Sequence, residues 1–218
     1  LKVNRWDDSG SSQDYADWAS YDFTPKAEGE DNYSLSFDGV DDYVEITDQS
    51  SATSVFDYAF TSTAWVKVTG GSGTTRNILT NAQIAGDGYV LQVTNGNEFS
   101  GIIDLQSGWA TVWGDTDVGL NTWYHVAFSY DGSSLKLYVN GELYGENSDV
   151  SGEIIDPVGN SSFFIGAQGT GALFFPGTIG EITIWNTTLT QADIQSSMST
   201  SLSGSEPGLV GYWNFNEG

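Results

Sequence analysis

Apolar and polar side chains alternate with a period of two along most of the chain from Tyr33 onward. In the segment FTSTAWVKV, residues 60–68, the side chains at 60, 64, 66 and 68 are apolar and fall on one face, with the odd-numbered residues on the other. A strand buried on one face has this period, whereas a helix repeats every 3.6 residues. The alternation therefore predicts β-strands that bury one face each.

Turn signals separate these segments at short intervals. The pairs Asn95-Gly96, Asp131-Gly132 and Asn140-Gly141 favour hairpins, because both residue types tolerate positive φ. Roughly a dozen strands with frequent turns, together with abundant glycine and aromatic residues, indicate two stacked antiparallel sheets. The predicted fold class is therefore all-β, a two-sheet antiparallel β-sandwich.

One short surface helix is predicted near the C-terminus, over residues 190–198. Thr190 begins a capping box that Asp193 completes three residues later. Ile194 and Met198 lie four residues apart and would face the sheet. We interpret this helix as scaffold.

Length suits a single domain. The chain has 218 residues, of which 33–218 carry the strand pattern. Residues 1–32 form an acidic arm, and its several large rings predict that it packs on the domain, because exposing them would forfeit burial free energy.

Charge narrows the classes of partner. Acidic residues number 29 and basic residues 6, so the net charge is −23. Nucleic acids and anionic membranes are disfavoured as partners, because binding their phosphates requires Lys and Arg. No apolar run approaches the ~20 residues of a membrane span, so no membrane insertion is expected. Calcium or a salty medium is the natural counterpart of so acidic a chain, and the absence of Cys removes thiolate chemistry.

Several stretches occur together in one order: FDGVDDYVEI, FTSTAWVKV, WYHVAFSYDGSSLKLYVNGE, FFIGA, FPGTIGEITIWNTTLTQADI and EPGLVGYWNFNEG. In this combination the chain resembles the LamG-like jelly-roll family of the concanavalin A-like lectin/glucanase superfamily, from about Tyr33 to the C-terminus. The resemblance implies two packed sheets, one with a concave face, in a module of a secreted or surface protein. The early segment WDDSGSS resembles the stretch that comes after GYWNFNEG in tandem modules, which predicts that the first and last strands lie side by side.

The function that this resemblance implies is binding without catalysis. We expect a module that binds a polysaccharide or glycan, in a bacterial secreted or cell-surface protein of several domains from which this chain is a fragment. Two alternatives stay open. One is a structural adhesion module that contacts other surface proteins and has no sugar site. The other is a diverged glycoside hydrolase or polysaccharide lyase.

The segment FDGVDDYVEI crowds Asp38, Asp41, Asp42 and Glu45 into ten residues. One interpretation is turn chemistry, in which Asp side chains accept hydrogen bonds from nearby backbone N–H groups. A second is calcium, which takes 6–8 oxygen ligands and would be held by Asp38, Asp41 and Asp42 with backbone oxygens. In the family the motif Ile-Asp-Glu commonly helps to hold the ion. Here it reads Ile179-Gly180-Glu181, and alternation would point Glu181 to the opposite face.

A third interpretation of the acidic segment is catalysis. Retaining glycosidases need two carboxyls about 5–5.5 Å apart. The family's glucanases carry a Glu-x-Asp-x-x-Glu run, which this chain lacks. Glu45 and Glu181 could meet by chance in the folded chain, but nothing in the sequence indicates that they pair. The single histidine, His125, lies in an alternating segment and is interpreted as structural. No catalytic residue is therefore assigned.

The segment SGWATVWGDT is the candidate ligand site. If it is a strand, Trp109 and Trp113 share one face, about 13 Å apart along the strand, a spacing that suits sugars a unit or two apart. Core packing or edge cover is the alternative. Arg76 would bind an anionic sugar group or pair with a carboxylate. Further polar candidates are Gln92, Asp104 and Gln106. Four other tryptophans are assigned to packing: Trp65, Trp123, Trp185 and Trp213.

Overall fold

A computed structural model describes residues 2–6, 12–13, 33–47, 58–81, 88–114, 117–155, 162–169 and 171–215, with backbone alone for the first two ranges. The strands are β1 (Lys2–Trp6), β2 (Ser12–Gln13), β3 (Ser34–Asp38), β4 (Tyr43–Ile46), β5 (Phe60–Val68), β6 (Arg76–Thr80), β7 (Tyr89–Val93), β8 (Phe99–Leu105), β9 (Gly108–Trp113), β10 (Trp123–Tyr130), β11 (Leu135–Val139), β12 (Glu142–Asn147), β13 (Phe163–Ile165), β14 (Pro176–Trp185) and β15 (Leu209–Trp213). One helix, α1 (Gln191–Ser197), precedes β15.

Two antiparallel sheets stack as the alternation predicts. The first sheet has the strand order β2-β1-β4-β13-β6-β7-β8-β9. The second has the order β12-β11-β10-β5-β14-β15, and β3 pairs with β14 as well. The predicted β-sandwich is confirmed.

The core lies between the sheets and uses the apolar face of each strand. Phe60, Ala64, Val66 and Val68 of β5 are fully buried there, as their spacing predicts. Val44 of β4 joins the same core. Aromatic packing is dense, with the rings of Phe163 and Trp213 stacked at 5.3 Å between centroids.

The predicted hairpins form at all three turn signals. At Asn140-Gly141, between β11 and β12, both residues have positive φ, 51° and 77°. Between β7 and β8 the left-handed residue is Asn97, one position after the Asn-Gly pair, with φ 69°. Asp131 opens the third turn, and its Oδ1 accepts hydrogen bonds from the backbone N–H groups of Ser133 and Ser134.

Helix α1 begins as predicted. The Thr190 hydroxyl accepts from the backbone N–H of Asp193, and the Asp193 carboxylate accepts in return from the Thr190 N–H. Ile194 is fully buried against Ala127 and Tyr138 of the second sheet. The helix therefore covers part of the outer face of that sheet. At seven residues, it is the single helix in the described ranges, and it is far too short to cross a bilayer.

The expectation that the first and last strands are neighbours is wrong. Strand β1 pairs with β4 in the first sheet, whereas β15 pairs with β14 in the second. Strand β14 is long enough to serve two partners on one side: β3 pairs with residues 176–180 and β15 with residues 182–185. Packing of the whole arm, residues 1–32, stays a prediction, because residues 14–32 lie outside the described ranges.

Candidate functional site

Strand β9 ends the first sheet and presents two tryptophan rings to solvent. Trp109 is 51% exposed and Trp113 is 60% exposed. Ala110 and Val112 alternate with them and are buried in the core. The rings therefore lie on the outer face of β9, about 13 Å apart along the strand. Neither ring belongs to the core.

Strand pairing aligns polar residues with these rings. Asp104 of β8 pairs with Trp109, Ser100 of β8 pairs with Trp113, and Gln92 of β7 pairs with Ser100. Cross-strand partners share a face of the sheet. Asp104 and Gln92 therefore lie on the same outer face as the rings, and Gln92 is two strands, about 10 Å, from Trp113. Asp104 is buried and Gln92 is half-buried, so the rings supply most of the accessible surface.

Gln106 lies in the exposed turn between β8 and β9. Its side-chain amide donates a hydrogen bond to the Glu153 carboxylate, which also accepts from the Tyr58 hydroxyl at 2.7 Å. The structure thus places Gln106 at the end of the row of rings, tied to a neighbouring loop.

Arg76 does not face this surface, and its proposed contact with an anionic sugar is wrong. Its side chain is fully buried, and it pairs with Val93, a core residue. The guanidinium donates to the Gly70 carbonyl at 2.7 Å and the Asn97 side-chain oxygen at 2.7 Å. Burial lowers the pKa of Arg76. The residue fastens two loops together, and a ligand outside the sheet cannot reach it.

A groove of about 400 Å³ opens beside Trp113, between β9 and the end of β12. Its lining residues are Thr111, Val112, Trp113, Glu146, Asn147, Ser148 and Asp149. Asn147 spans it, because its side-chain amide donates to the Thr111 carbonyl at 2.9 Å. The two strands approach closely, since a Cβ on Gly145 would collide with the Trp113 carbonyl oxygen.

The sequence did not predict that residues of β12 line this groove. Glu146 and Asp149 are more than 30 positions from Trp113 in the chain. No local pattern connects them, because the contact arises where the end strands of the two sheets meet. The turn signal at Asn140-Gly141 predicts that β12 folds back on β11, but it does not predict which strand lies on the other side of β12.

The acidic turn between β3 and β4 gathers three carboxylates. Oxygen atoms of Asp38, Asp41 and Asp42 lie within 4.8 Å of one another. The turn chemistry is present as well: Asp38 Oδ1 accepts from the Val40 N–H at 2.8 Å, and Asp42 Oδ2 accepts from the Asp38 N–H at 3.0 Å. These hydrogen bonds account for the positions of the Asp38 and Asp42 carboxylates without an ion. The cluster also has the oxygen chemistry that calcium requires.

A sequence model of the Concanavalin A-like lectin/glucanases superfamily matches residues 38–195. The chain belongs to this superfamily. No curated protein sequence matches it closely enough to count as a relative.

Several solved structures resemble the chain in fold at low sequence identity. A proposed carbohydrate binding protein from Bacteroides ovatus has a TM-score of 0.65 and 20% identity, over 84% of this chain and 53% of that one. The chain thus spans about half the length of that protein. A heptameric SAP-like pentraxin from Limulus polyphemus has a TM-score of 0.60 and 15% identity, over 82% and 89% of the two chains. The IT-sialidase CBM40 of Ruminococcus gnavus, bound to α2,3 sialyllactose, has a TM-score of 0.61 and 16% identity, over 76% of this chain and 96% of that one.

The segment Ile179-Gly180-Glu181 departs from strand alternation in this superfamily member. Glu181 has φ 38° and lies at a bulge in β14. It lies beside Tyr212, whose hydroxyl is 3.4 Å from Glu181 Oε1 and whose backbone pairs with Thr183. Burial, with the Glu181 charge, raises the pKa of Tyr212 to about 12. The bulge therefore places Glu181 on the outer face, and the expectation from simple alternation is wrong.

Two further expectations concern catalysis. Glu45 lies in the first sheet, where it accepts a hydrogen bond from Ser162 at 2.6 Å, whereas Glu181 lies in the second sheet. The two carboxylates belong to the outer faces of different sheets and do not form a pair. His125 is buried against Trp65, with ring centroids 5.2 Å apart, in keeping with a structural role.

Proposed function

We propose that the chain is a non-catalytic module that binds a polysaccharide or glycan through the outer face of β9. The observation that carries the proposal is the pair of exposed rings, Trp109 and Trp113, on one face of a strand at the end of a sheet. A flat indole face presents a large apolar area to the C–H face of a sugar, and its N–H gives a polar handle. Single exposed apolar residues are normal on a protein surface, whereas larger exposed apolar patches mark interaction or ligand-binding sites.

The superfamily match and the low-identity structural neighbours support the same function. Two of those neighbours are described as carbohydrate-binding or as a sugar complex. The identities are 20% or lower, so they support the fold, and the site itself depends on the rings of this chain.

Affinity electrophoresis and calorimetry against a panel of neutral polysaccharides test the proposal. Trp109→Ala and Trp113→Ala should each weaken binding about thirtyfold, or ~2 kcal/mol. Leu143→Ala is the matched control, because Leu143 is also exposed but lies on β12. Retention of full affinity by both tryptophan variants would refute the site. Binding of no polysaccharide at all would favour the structural adhesion module.

The proposed absence of catalysis has its own test. Release of reducing ends or of unsaturated products from the panel would reveal a hydrolase or a lyase. We expect neither product from the wild-type chain. We also propose a secreted or cell-surface location, which fractionation of the source organism would test.

Calcium at the acidic turn is proposed as a stabilising ion, held by Asp38, Asp41 and Asp42 with backbone oxygens. The close approach of the three carboxylates supports it. A ligand that binds the folded state alone at 100 times its Kd adds about 2.7 kcal/mol of stability. The melting temperature should therefore rise with calcium in the wild-type chain and not in Asp41→Asn. Equal melting temperatures in calcium and in excess chelator would contradict the proposed calcium site.

A further inference from the structure

The groove beside Trp113 has walls of contrasting chemistry. One wall is the indole of Trp113, 60% exposed. The lining also includes the acidic residues Glu146, in β12, and Asp149, just after it. An apolar ring beside acidic residues suits a ligand that is itself apolar on one face and positively charged at one edge.

Few cations in the described ranges are available to neutralise this wall. Lys67 lies over the ring of Trp123, 5.1 Å from its centroid, and Arg76 is fully buried. Lys136 lies 3.4 Å from Asp131 and 3.9 Å from Glu146, and the Glu146 carboxylate also accepts from the Ser134 hydroxyl at 2.9 Å, so Glu146 already has partners on the β11 side. No described cation lies within 4.0 Å of the Asp149 carboxylate. The groove therefore keeps net negative charge in a chain already at −23.

The groove is held in shape by its own hydrogen bonds. The Asn147 side chain donates to the Thr111 carbonyl at 2.9 Å, which ties the two walls. Its oxygen accepts from the Asp149 N–H at 3.1 Å, which holds the acidic loop beside the ring. A ligand would meet a surface that is already formed, and preformed sites lose less free energy to ordering on binding.

We propose that this groove takes an amino-bearing sugar unit of a glycan, with the sugar ring on Trp113 and the ammonium group directed to Asp149. The inference rests on the proposed function of the β9 rings and adds the charge of the sugar. The same wall repels carboxylated or sulfated sugars. Among glycans of equal ring geometry, affinity should therefore decrease from cationic to neutral to anionic sugars.

Calorimetric titration of the full chain tests the preference for a cationic over a neutral sugar with three tetrasaccharides that share one backbone. They are the fully deacetylated glucosamine tetramer, its N-acetylated form and cellotetraose. At 0.1 M salt the deacetylated form should bind about fivefold more tightly than the other two. At 1 M salt, where the Debye length falls from about 10 Å to about 3 Å, this preference should largely disappear.

Variants separate the groove from the general acidity of the chain. Asp149→Asn should weaken binding of the deacetylated tetramer about threefold and leave cellotetraose binding unchanged. Glu142→Gln removes the same charge from the exposed start of β12, outside the lining of the groove, and should leave both affinities unchanged. Circular dichroism and melting check that each variant is folded.

Each outcome decides the inference. Equal binding of the three tetramers, failure of the deacetylated tetramer to bind, or equal losses in Asp149→Asn and Glu142→Gln would overturn it. Such results would leave the proposed function intact if neutral polysaccharides still bind and the binding still depends on Trp109 and Trp113. Loss of that dependence would instead overturn the proposed function.

Discussion

Tryptophan rings on the outer faces of the two sheets lie in opposite environments. Trp185, on β14 of the second sheet, is 5% exposed, and its N–H donates to Thr183 Oγ1 at 2.7 Å. Trp113, on β9 of the first sheet, is 60% exposed. Both belong to alternating strands, so strand pattern does not distinguish them. The difference is what covers each face.

The segment after β14 covers the outer face of the second sheet. Thr61 Oγ1 donates to the Thr187 carbonyl at 2.9 Å and accepts from the Leu189 N–H at 3.0 Å, and α1 comes directly after this segment. Asp193 and Ser197 of α1 line a groove of about 460 Å³ in which Trp185 forms part of the lining. This covered face stabilises the fold, whereas the open end of the first sheet leaves rings available to a partner.

The largest expected effect is on stability at the covered face. Trp185→Ala should lower the free energy of unfolding by about 3–5 kcal/mol, because it removes a buried ring and leaves a cavity. Trp113→Ala should change it by less than about 0.5 kcal/mol, since an exposed side chain has few packing partners. Urea denaturation of both variants measures the contrast. Comparable losses would contradict the division into covered and open faces.

Substitutions of Arg76 test whether the two loops that it joins can be destabilised without reducing polysaccharide affinity. Arg76→Met should cost about 2–4 kcal/mol, because loop carbonyls lose a charged donor and become unsatisfied. Arg76→Lys should recover only part of this, since one ammonium cannot reproduce the planar fork. Polysaccharide affinity of the folded fraction should stay at the wild-type value. A selective loss of affinity with normal stability would restore Arg76 to the site.

The capping box of α1 gives a smaller, local effect. Thr190→Ala should cost about 1 kcal/mol, because the first turn of the helix loses a hydrogen-bond acceptor. The Thr190 side chain and N–H hold the pKa of Asp193 below its usual range. The stability that the ionised Asp193 carboxylate contributes is present above the ordinary Asp pKa and is lost as pH falls below it. The difference in melting temperature between wild type and variant should accordingly narrow from pH 7 into acid, with Ser199→Ala as control.

The substitution Tyr212→Phe should have the smallest effect on stability at neutral pH and a larger one in alkali. Its folded-state pKa of about 12 lies above the ordinary value of 10.0, so ionisation is disfavoured in the folded protein. The resulting stability is present below pH 10 and is lost as pH rises towards 12. Tyr212→Phe should therefore melt with a shallower dependence on pH across this interval. Tyr33→Phe is the comparison, and identical slopes in all three proteins would contradict the prediction.

Much of the fold and part of the site could be predicted because local rules decide them. Alternation predicts the core face of β5, Asn-Gly and Asp-Gly pairs predict hairpins, and Thr190 with Asp193 predicts the start of α1. The same alternation places Trp109 and Trp113 on one face. The prediction for Arg76 is wrong because an Arg in a loop-like, glycine-rich context is ordinarily exposed, whereas here loop carbonyls at 70 and 94 surround it.

By itself, the sequence determined which side of each strand is apolar, where the chain reverses and that the chain is strongly acidic. These properties depend on neighbours within a few positions. Tertiary structure alone decided that Trp185 is buried on its sheet, that nothing described covers Trp113, and that Asp149 and Trp113 line one groove. The physical reason is that the environment of an outward side chain depends on distant strands and segments, whose arrangement results from the packing of whole sheets.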